Sequence, residues 1–305
     1  MADPLRPMST GELLDRTFAL YRKNFLLFLG IAVVTHTIYL AYALLTVGSA
    51  TPHAGRLGTY YLHLGLNWSV ATLVLTISHA ATVKAVAAVH LDQPISVWAS
   101  YRDLRGRMVS VFGVLAFIFL IAGLITAVLA VVAAFILGLI VVAAGSHGGP
   151  RSAAATLGLG FGMFAAMFAI FVAVYVRYAL AIQACVVENL SAWASMKRSV
   201  FLSKGGRGRI AAVYVVFVIL SWIAALTLAW LARAAGIPLH SRIASLILID
   251  LASFASGSLT SPLATIGISL LYYDERVRKE AFDLQLMLSS LSAPTPTEVA
   301  APVQI

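Results

Sequence analysis

The sequence predicts an all-α integral membrane protein with six transmembrane helices in three parallel repeats, each an interfacial amphipathic elbow helix plus a helical hairpin. Three observations carry that prediction. Of 305 residues, 61% are hydrophobic and only 11% charged, with a mean hydropathy of +0.93, which excludes a pair of ordinary soluble domains. The apolar runs are continuous Leu, Ala, Val, Ile and Phe stretches without period-two alternation, so they supply the about 20 residues that a helical crossing needs rather than the strands of a barrel. Finally, Ser96-Val-Trp-Ala-Ser-Tyr-Arg102 matches Ser191-Ala-Trp-Ala-Ser-Met-Lys197, and each stretch stands just before a long apolar run; that is the mark of a repeated unit.

The first unit starts near residue 8. Ser9-Thr10-Gly11-Glu12 has the form of a capping box, and Leu14, Phe18, Tyr21 and Phe25 make an apolar stripe against Glu12, Arg16 and Lys23. Spans one (25–48) and two (67–91) follow. The second elbow starts at Asp92, read as the helix cap, with Pro94 in the first turn. Val97, Tyr101, Leu104 and Met108 then share one face, while Arg102 and Arg105 lie on another. Spans three (109–143) and four (154–187) complete that unit, Asn189 caps the third elbow, and spans five (208–235) and six (243–273) close the set. The repeats thus cover about 8–92, 93–189 and 190–274 of a single membrane domain over 1–292. After the sixth span, Asp274 to Leu291 continues as an amphipathic helix covering the cytoplasmic face, with Val277, Ala281, Leu284, Leu288 and Leu291 on its stripe and the Glu275–Lys279 and Arg276–Glu280 pairs outside it. Residues 293–305, with Pro294, Pro296 and Pro302, read as a disordered tail.

Charge bias sets the number of crossings and their direction. Residues 109–149 contain no Asp, Glu, Lys or Arg, long enough for one extended crossing or two tight ones. Two crossings would send the Lys197–Arg209 cluster outside, against the positive-inside bias, so six spans with both termini cytoplasmic is the reading adopted. Tyr60, Tyr61 and Trp68 then fall at the outer interface and Tyr272 and Tyr273 at the inner one, where aromatic belts form. The net charge of +9 lies beside spans rather than in one soluble patch, which points away from nucleic acid and toward anionic headgroups on the cytoplasmic face. Arg16, Lys23, Trp98, Arg102, Arg105, Trp193, Lys197 and Arg198 are the elbow residues expected on the lipid surface. No cleavable signal is evident ahead of the first span.

Ionisable groups at bilayer depth are costly, so each is a candidate for function. His36 and His79 fall at similar depth on neighbouring spans: a relay or ligand site on one reading, imidazoles bonded to a neighbouring Thr or carbonyl on the other. Arg177 and Asp250 are brought within about one turn in depth by helix rise, as a structural ion pair or as part of a transport path. Lys84 lies near enough to the inner face to snorkel. Asp250 also opens a stripe, Ser253, Gly257, Thr260 and Ala264, that suits close helix packing or a hydrated cavity.

No catalytic signature accompanies these residues. Ser256 and Ser258 are followed by no histidine, and the sequence lacks a His-Glu-x-x-His helix, a phosphate loop and a Cys-x-x-Cys pair. No metal or cofactor is expected, and the single Cys185 reads as a small buried residue. Three segments, Gly11 to Phe25, Val187-Glu-Asn-Leu190 with its elbow, and Tyr272 to Asp283, resemble the bacterial glycerophosphoryl diester phosphodiesterase membrane-domain family. The catalytic barrel fused to some members, with its His-Arg-Gly and Glu-x-Asn motifs, is absent, so the resemblance implies a stand-alone multi-pass inner-membrane protein and no phosphodiesterase activity. The function expected is a non-enzymatic membrane scaffold or accessory protein with an unidentified protein partner. The alternative is a transporter or channel for a small solute or lipid, with His36, His79, Arg177 and Asp250 converging on the repeat axis; a lipid-modifying enzyme is a distant third.

Overall fold

The computed structural model describes residues 7–47, 57–144 and 150–280, and the regular elements within them are all helical. In chain order these are α1 (Thr10–Lys23), α2 (Phe25–Thr46), α3 (Leu57–His90), α4 (Val97–Arg102), α5 (Met108–Ala144), α6 (Pro150–Tyr178), α7 (Ala181–Val187), α8 (Ala192–Ser203), α9 (Arg207–Gly236) and α10 (Arg242–Glu280), with single 3-10 turns at Arg105–Arg107 and Ile237–Leu239. Six helical stretches, built on α2, α3, α5, α6–α7, α9 and α10, are long and apolar enough to cross a membrane. The proposed tail at 293–305 and the stripe residues Ala281 to Leu291 lie outside the described residues.

Three short helices, α1, α4 and α8, precede α2, α5 and α9, and each starts at a serine. Ser9 Oγ accepts the Glu12 N–H while Glu12 accepts the Ser9 N–H, a complete capping box. Ser96 Oγ accepts from Ala99 N–H and Ser191 Oγ from Ala194 N–H. Asp92 and Asn189 are therefore not the caps that the sequence pattern suggested. Both have left-handed backbones, φ +52° and +59°, and sit just past the ends of α3 and α7, because Asp and Asn tolerate the conformation that terminates a helix. The second elbow is also shorter than expected. α4 stops at Arg102, so Val97 to Met108 is a helix, a turn and a 3-10 step rather than one continuous stripe.

The short helices pack in a cycle. α4 lies on the α2–α3 hairpin, α8 on α5–α6, and α1 on α9–α10. Glycines admit two of these contacts: a Cβ on Gly30 would lie 2.9 Å from a Val97 methyl, and one on Gly113 would lie 2.8 Å from the Ala192 methyl. The third is closed by Phe18 against Phe217, ring centroids 6.4 Å apart, and by Arg209 donating to the Met8 carbonyl at 2.9 Å. Within the third hairpin α9 and α10 approach so closely at Gly267 that any Cβ would strike the Phe217 ring.

Burial is uneven along the bundle. The buried residues of α2 run from Phe28 to His36, those of α9 are Ile210, Val213 and Phe217 with Gly236 at its far end, and those of α10 run from Ser256 to Val277. Apart from Gly236, most of each set lies in the half nearer the short helices. The opposite half exposes Leu45, Trp222, Leu226 and Trp230, apolar surface suited to lipid. The core thus sits at one end of the molecule, and that end also carries the charged turns.

The fourth span departs from its expected outline, and the sixth is long. The fourth is not one rod over 154–187: the chain breaks at Ala179–Leu180, between α6 and α7. Ser199 of α8 bridges the break, accepting from the Leu180 N–H at 3.2 Å and donating to the Arg177 carbonyl at 3.0 Å, and Ser203 donates to the same carbonyl. A break inside an apolar span is tolerable when neighbouring hydroxyls meet the freed backbone groups. The sixth continues past Tyr273 without interruption through Glu280, a helix of 39 residues, roughly 58 Å at about 1.5 Å per residue. It exceeds the about 30 Å apolar layer and brings its charged last turns against the short helices.

Candidate functional site: a charged face and a central polar cavity

α10 supplies its last two turns, Asp274–Glu280, to the packed end, and Asp274 and Glu275 there are buried. Asp274, with no exposed side-chain surface, accepts the Met8 N–H at 2.6 Å and pairs with Arg209 and, at 2.8 Å, with Arg278. Both arginines also donate to the Met8 carbonyl. Glu275 pairs with Lys279 at 3.4 Å and with Arg209 at 3.7 Å. A second cluster joins Glu188, from the α7–α8 turn, to Arg198 at 2.8 Å, to Arg276 at 3.6 Å and to the Tyr272 hydroxyl, while Arg198 makes a two-pronged pair with Glu280. The Glu280 hydrogen bond, and then Glu188, hold the Arg198 guanidinium charged, above its ordinary range against the effect of burial. Lys279 reaches the last turn of α8, donating to the carbonyls of Phe201, Leu202 and Lys204.

These pairs correct two expectations. The Glu275–Lys279 and Arg276–Glu280 pairs exist, but Glu275 is buried and the pairs face α8 and α9 rather than solvent. Tyr272 and Tyr273 are not an aromatic belt. Both are buried, Tyr272 on Glu188 and Tyr273 stacked on His90 with centroids 4.8 Å apart. Trp68, placed at the other interface, is exposed; the side chains of Tyr60 and Tyr61 lie outside the described residues. Glu188, Arg209, Asp274 and Glu275 were not singled out from the sequence as a site. The available signal was scarcity: in a chain with 12 acidic residues against 21 basic ones, a carboxylate at the end of an apolar run has to find a cation.

Among the elbow residues, Trp98 (66% exposed) and Trp193 (55%) project outward, as do Lys23, Arg102, Arg105 and Lys197. The Lys197 ammonium lies 5.4 Å from the Trp193 ring centre. Arg198 turns inward to Glu188 and Glu280 instead of facing lipid, because those carboxylates would otherwise be buried without a counter-charge. Arg16 and Lys23 line a cleft of about 520 Å³ with Asn24, His90 and Asp92. A second cleft of about 520 Å³ is lined by Arg177, Val200, Lys204, Gly205, Arg207 and Gly208.

The four polar residues expected to converge stand apart. His36 Nδ1 lies 2.8 Å from the Ala32 carbonyl one turn back on α2, and its ring covers Gly257, where a Cβ would come within 2.8 Å. The small residue thus serves close packing there. Asp250 lies within electrostatic reach of Tyr39 and forms no ion pair among the described residues. Arg177 stands at the packed end, its guanidinium 5.8 Å from the Tyr178 ring centre. The Arg177–Asp250 pairing fails because Arg177 stands beside the break at the packed end, and Asp250 is 24 residues before Asp274, roughly 36 Å along α10. His79 alone faces a cavity. Its Nε2 lies 3.1 Å from Gln183 Nε2, and a space of about 170 Å³ is bounded by Ser78 and His79 of α3, Tyr175 and Ala179, Tyr214 of α9, and Ser261, Ala264 and Thr265 of α10. Among the described residues Ser261 Oγ, on that lining, and Gln183 Oε1, on the residue that meets His79, are buried without hydrogen-bond partners. Gln183 had no sequence signal beyond being a polar residue within an apolar run.

Among the described residues no group of three or more His, Cys, Asp or Glu could hold a metal. Cys185 is buried and directs its thiol to the Leu190 carbonyl at 3.5 Å. No family model matches this sequence, and no curated protein or solved structure is detectably similar to it.

Proposed function

We propose that this chain is a bacterial inner-membrane protein, both termini cytoplasmic, that acts as a non-enzymatic scaffold or accessory protein. Its packed end lies at the cytoplasmic headgroups, and its exposed basic elbow residues engage anionic lipid. By resemblance we assign it to the glycerophosphoryl diester phosphodiesterase membrane-domain family, without that name's activity. The reading rests on one observation above the rest: the buried ion pairs tie the residue before α1, the α7–α8 turn, α8, α9 and α10 into one rigid face, while the candidate transport residues stand apart. The three-fold repeat belongs to the same proposal. In its favour, each short helix packs on the hairpin of the preceding unit in a closed cycle, and burial recurs at the fourth and eighth residues after each serine cap: Leu13 and Thr17, Ser100 and Leu104, Ser195 and Ser199.

A transporter is the second reading, favoured by Ser261 Oγ, without a partner among the described residues, and by His79 on the lining of the cavity between α3, α6, α9 and α10, since polar atoms in a space of that size suit water or a small solute. Substituted-cysteine labelling separates the two. With Cys185 replaced by Ala, Ser261→Cys and His79→Cys are reacted with membrane-impermeant thiosulfonates from each side of a proteoliposome. The scaffold reading expects no reaction from either side; labelling of both positions means a water path and hands the case to transport.

A further inference from the structure

The basic residues at the packed end fall into two groups. Arg198, Arg209, Arg276, Arg278 and Lys279 are each paired with a carboxylate. Others, Lys23, Arg105 and Lys197 among them, are not, and three of these, Arg177, Lys204 and Arg207, line one cleft of about 520 Å³ whose lining includes no carboxylate; none of the three forms an ion pair among the described residues. Glu275 lies by Gly206 and is already committed to Lys279 and Arg209. Three cations lining one cleft without a counter-charge give it a positive potential that attracts an anion from outside the chain.

Position identifies that anion. Arg177 is exposed, at the end of an otherwise apolar spanning helix where acyl chains give way to headgroups, and an arginine there sends its guanidinium to the interface. Its backbone is fixed by Ser199 and Ser203, so the site is built rather than a loose surface cluster. α9 starts at the cleft without a side-chain cap, and its dipole adds to the attraction. Gly205 (φ +86°) and Gly208 leave the mouth open, since a Cβ on either would meet nothing within 4 Å. Farther along α9, Val215, Val216 and Ile219 are exposed, an apolar surface of use to a lipid tail but not to a soluble ion.

We propose that Arg177, Lys204 and Arg207 form a binding site for the headgroup phosphate of an anionic phospholipid. The site deepens the scaffold reading and rests on it for placing this end at the headgroups. The test is native mass spectrometry of the full chain in detergent, titrated with phosphatidylglycerol or phosphatidylcholine. Wild type should retain phosphatidylglycerol preferentially. Arg177→Gln should weaken it about fivefold, the equivalent of about 1 kcal/mol for one cation at the surface. Gly208→Leu, which keeps every cation and fills the mouth, should weaken it too, with wild-type thermal midpoints confirming folding. Arg102→Gln on the second elbow should leave this retention intact. Full retention by both Arg177→Gln and Gly208→Leu overturns the site while leaving elbow docking standing; absence of any phosphatidylglycerol preference in wild type overturns both. If inorganic phosphate alone stabilises the lipid-free protein as much as phosphatidylglycerol does, the site takes a soluble anion and the lipid assignment fails.

Discussion

Asp274 shows why two kinds of charged residue on one face have opposite weight. Its carboxylate is fully buried and meets a backbone N–H and two guanidinium groups, so the cost of removing it from water is offset only while all three remain. Arg102 and Asp103, by contrast, are 66% and 41% exposed and 3.7 Å apart, a pair that water and salt screen. Arg209→Met should therefore lower stability by about 2–3 kcal/mol, since it takes one of two guanidinium partners from a buried carboxylate, whereas Arg102→Gln should change it by no more than about 1 kcal/mol. Equilibrium denaturation of both variants in the same detergent measures the difference. Equal effects would mean that the buried pairs are no more than surface decoration. The sequence offered Asp274 as the start of an amphipathic helix, and its partners lie 65 residues back on α9 and 266 residues back at Met8; separations that long leave no local pattern to read.

Elements whose causes are local were legible. The capping box of α1 and the six long apolar helices follow from spacing within a few residues, while the pattern places the starts of α4 and α8 at Asp92 and Asn189 instead of Ser96 and Ser191. The break between α6 and α7 was not legible, because Tyr178-Ala179-Leu180-Ala181 contains neither Pro nor Gly and nothing in its own propensity stops a helix. Two serines of α8, about 20 residues on, hold it. The same reasoning explains α10, which runs through Asp274 because no breaker separates its apolar and charged parts. The candidate site was legible to the same degree: His79 was marked by its chemistry, while Gln183, its partner across the bundle, was not. Ser199→Ala should leave the Leu180 N–H without a partner and the Arg177 carbonyl with only Ser203, at a cost of about 1–3 kcal/mol. The accompanying signature is faster amide exchange at Leu180, read by hydrogen–deuterium mass spectrometry. Unchanged exchange at that amide would show that the break is held by packing rather than by the hydroxyls.

At the scale of the molecule the chain is asymmetric: a close-packed, ion-paired end and an opposite half that presents apolar surface. The short helices and the starts of α5 and α9 share the packed end, as do the last turns of α3 and α10, so the exposed cations Lys23, Arg102, Arg105, Lys197, Lys204 and Arg207 are concentrated on one face. Basic turns beside spans are retained on the cytoplasmic side during insertion, and a face that rigid is a poor candidate for the rocking motions of alternating access, which need two packings of similar energy. The orientation and the scaffold reading therefore stand on the same asymmetry. In a variant with Cys185 replaced by Ala, Ile237→Cys, at an exposed turn of the opposite end, should react with an impermeant maleimide added to intact cells. Arg102→Cys should react only after the membrane is opened. The reverse pattern would put the ion-paired face and its unpaired cleft outside the cell, away from the leaflet whose anionic surface they are argued to meet. It would remove the physical reason for the basic elbows altogether.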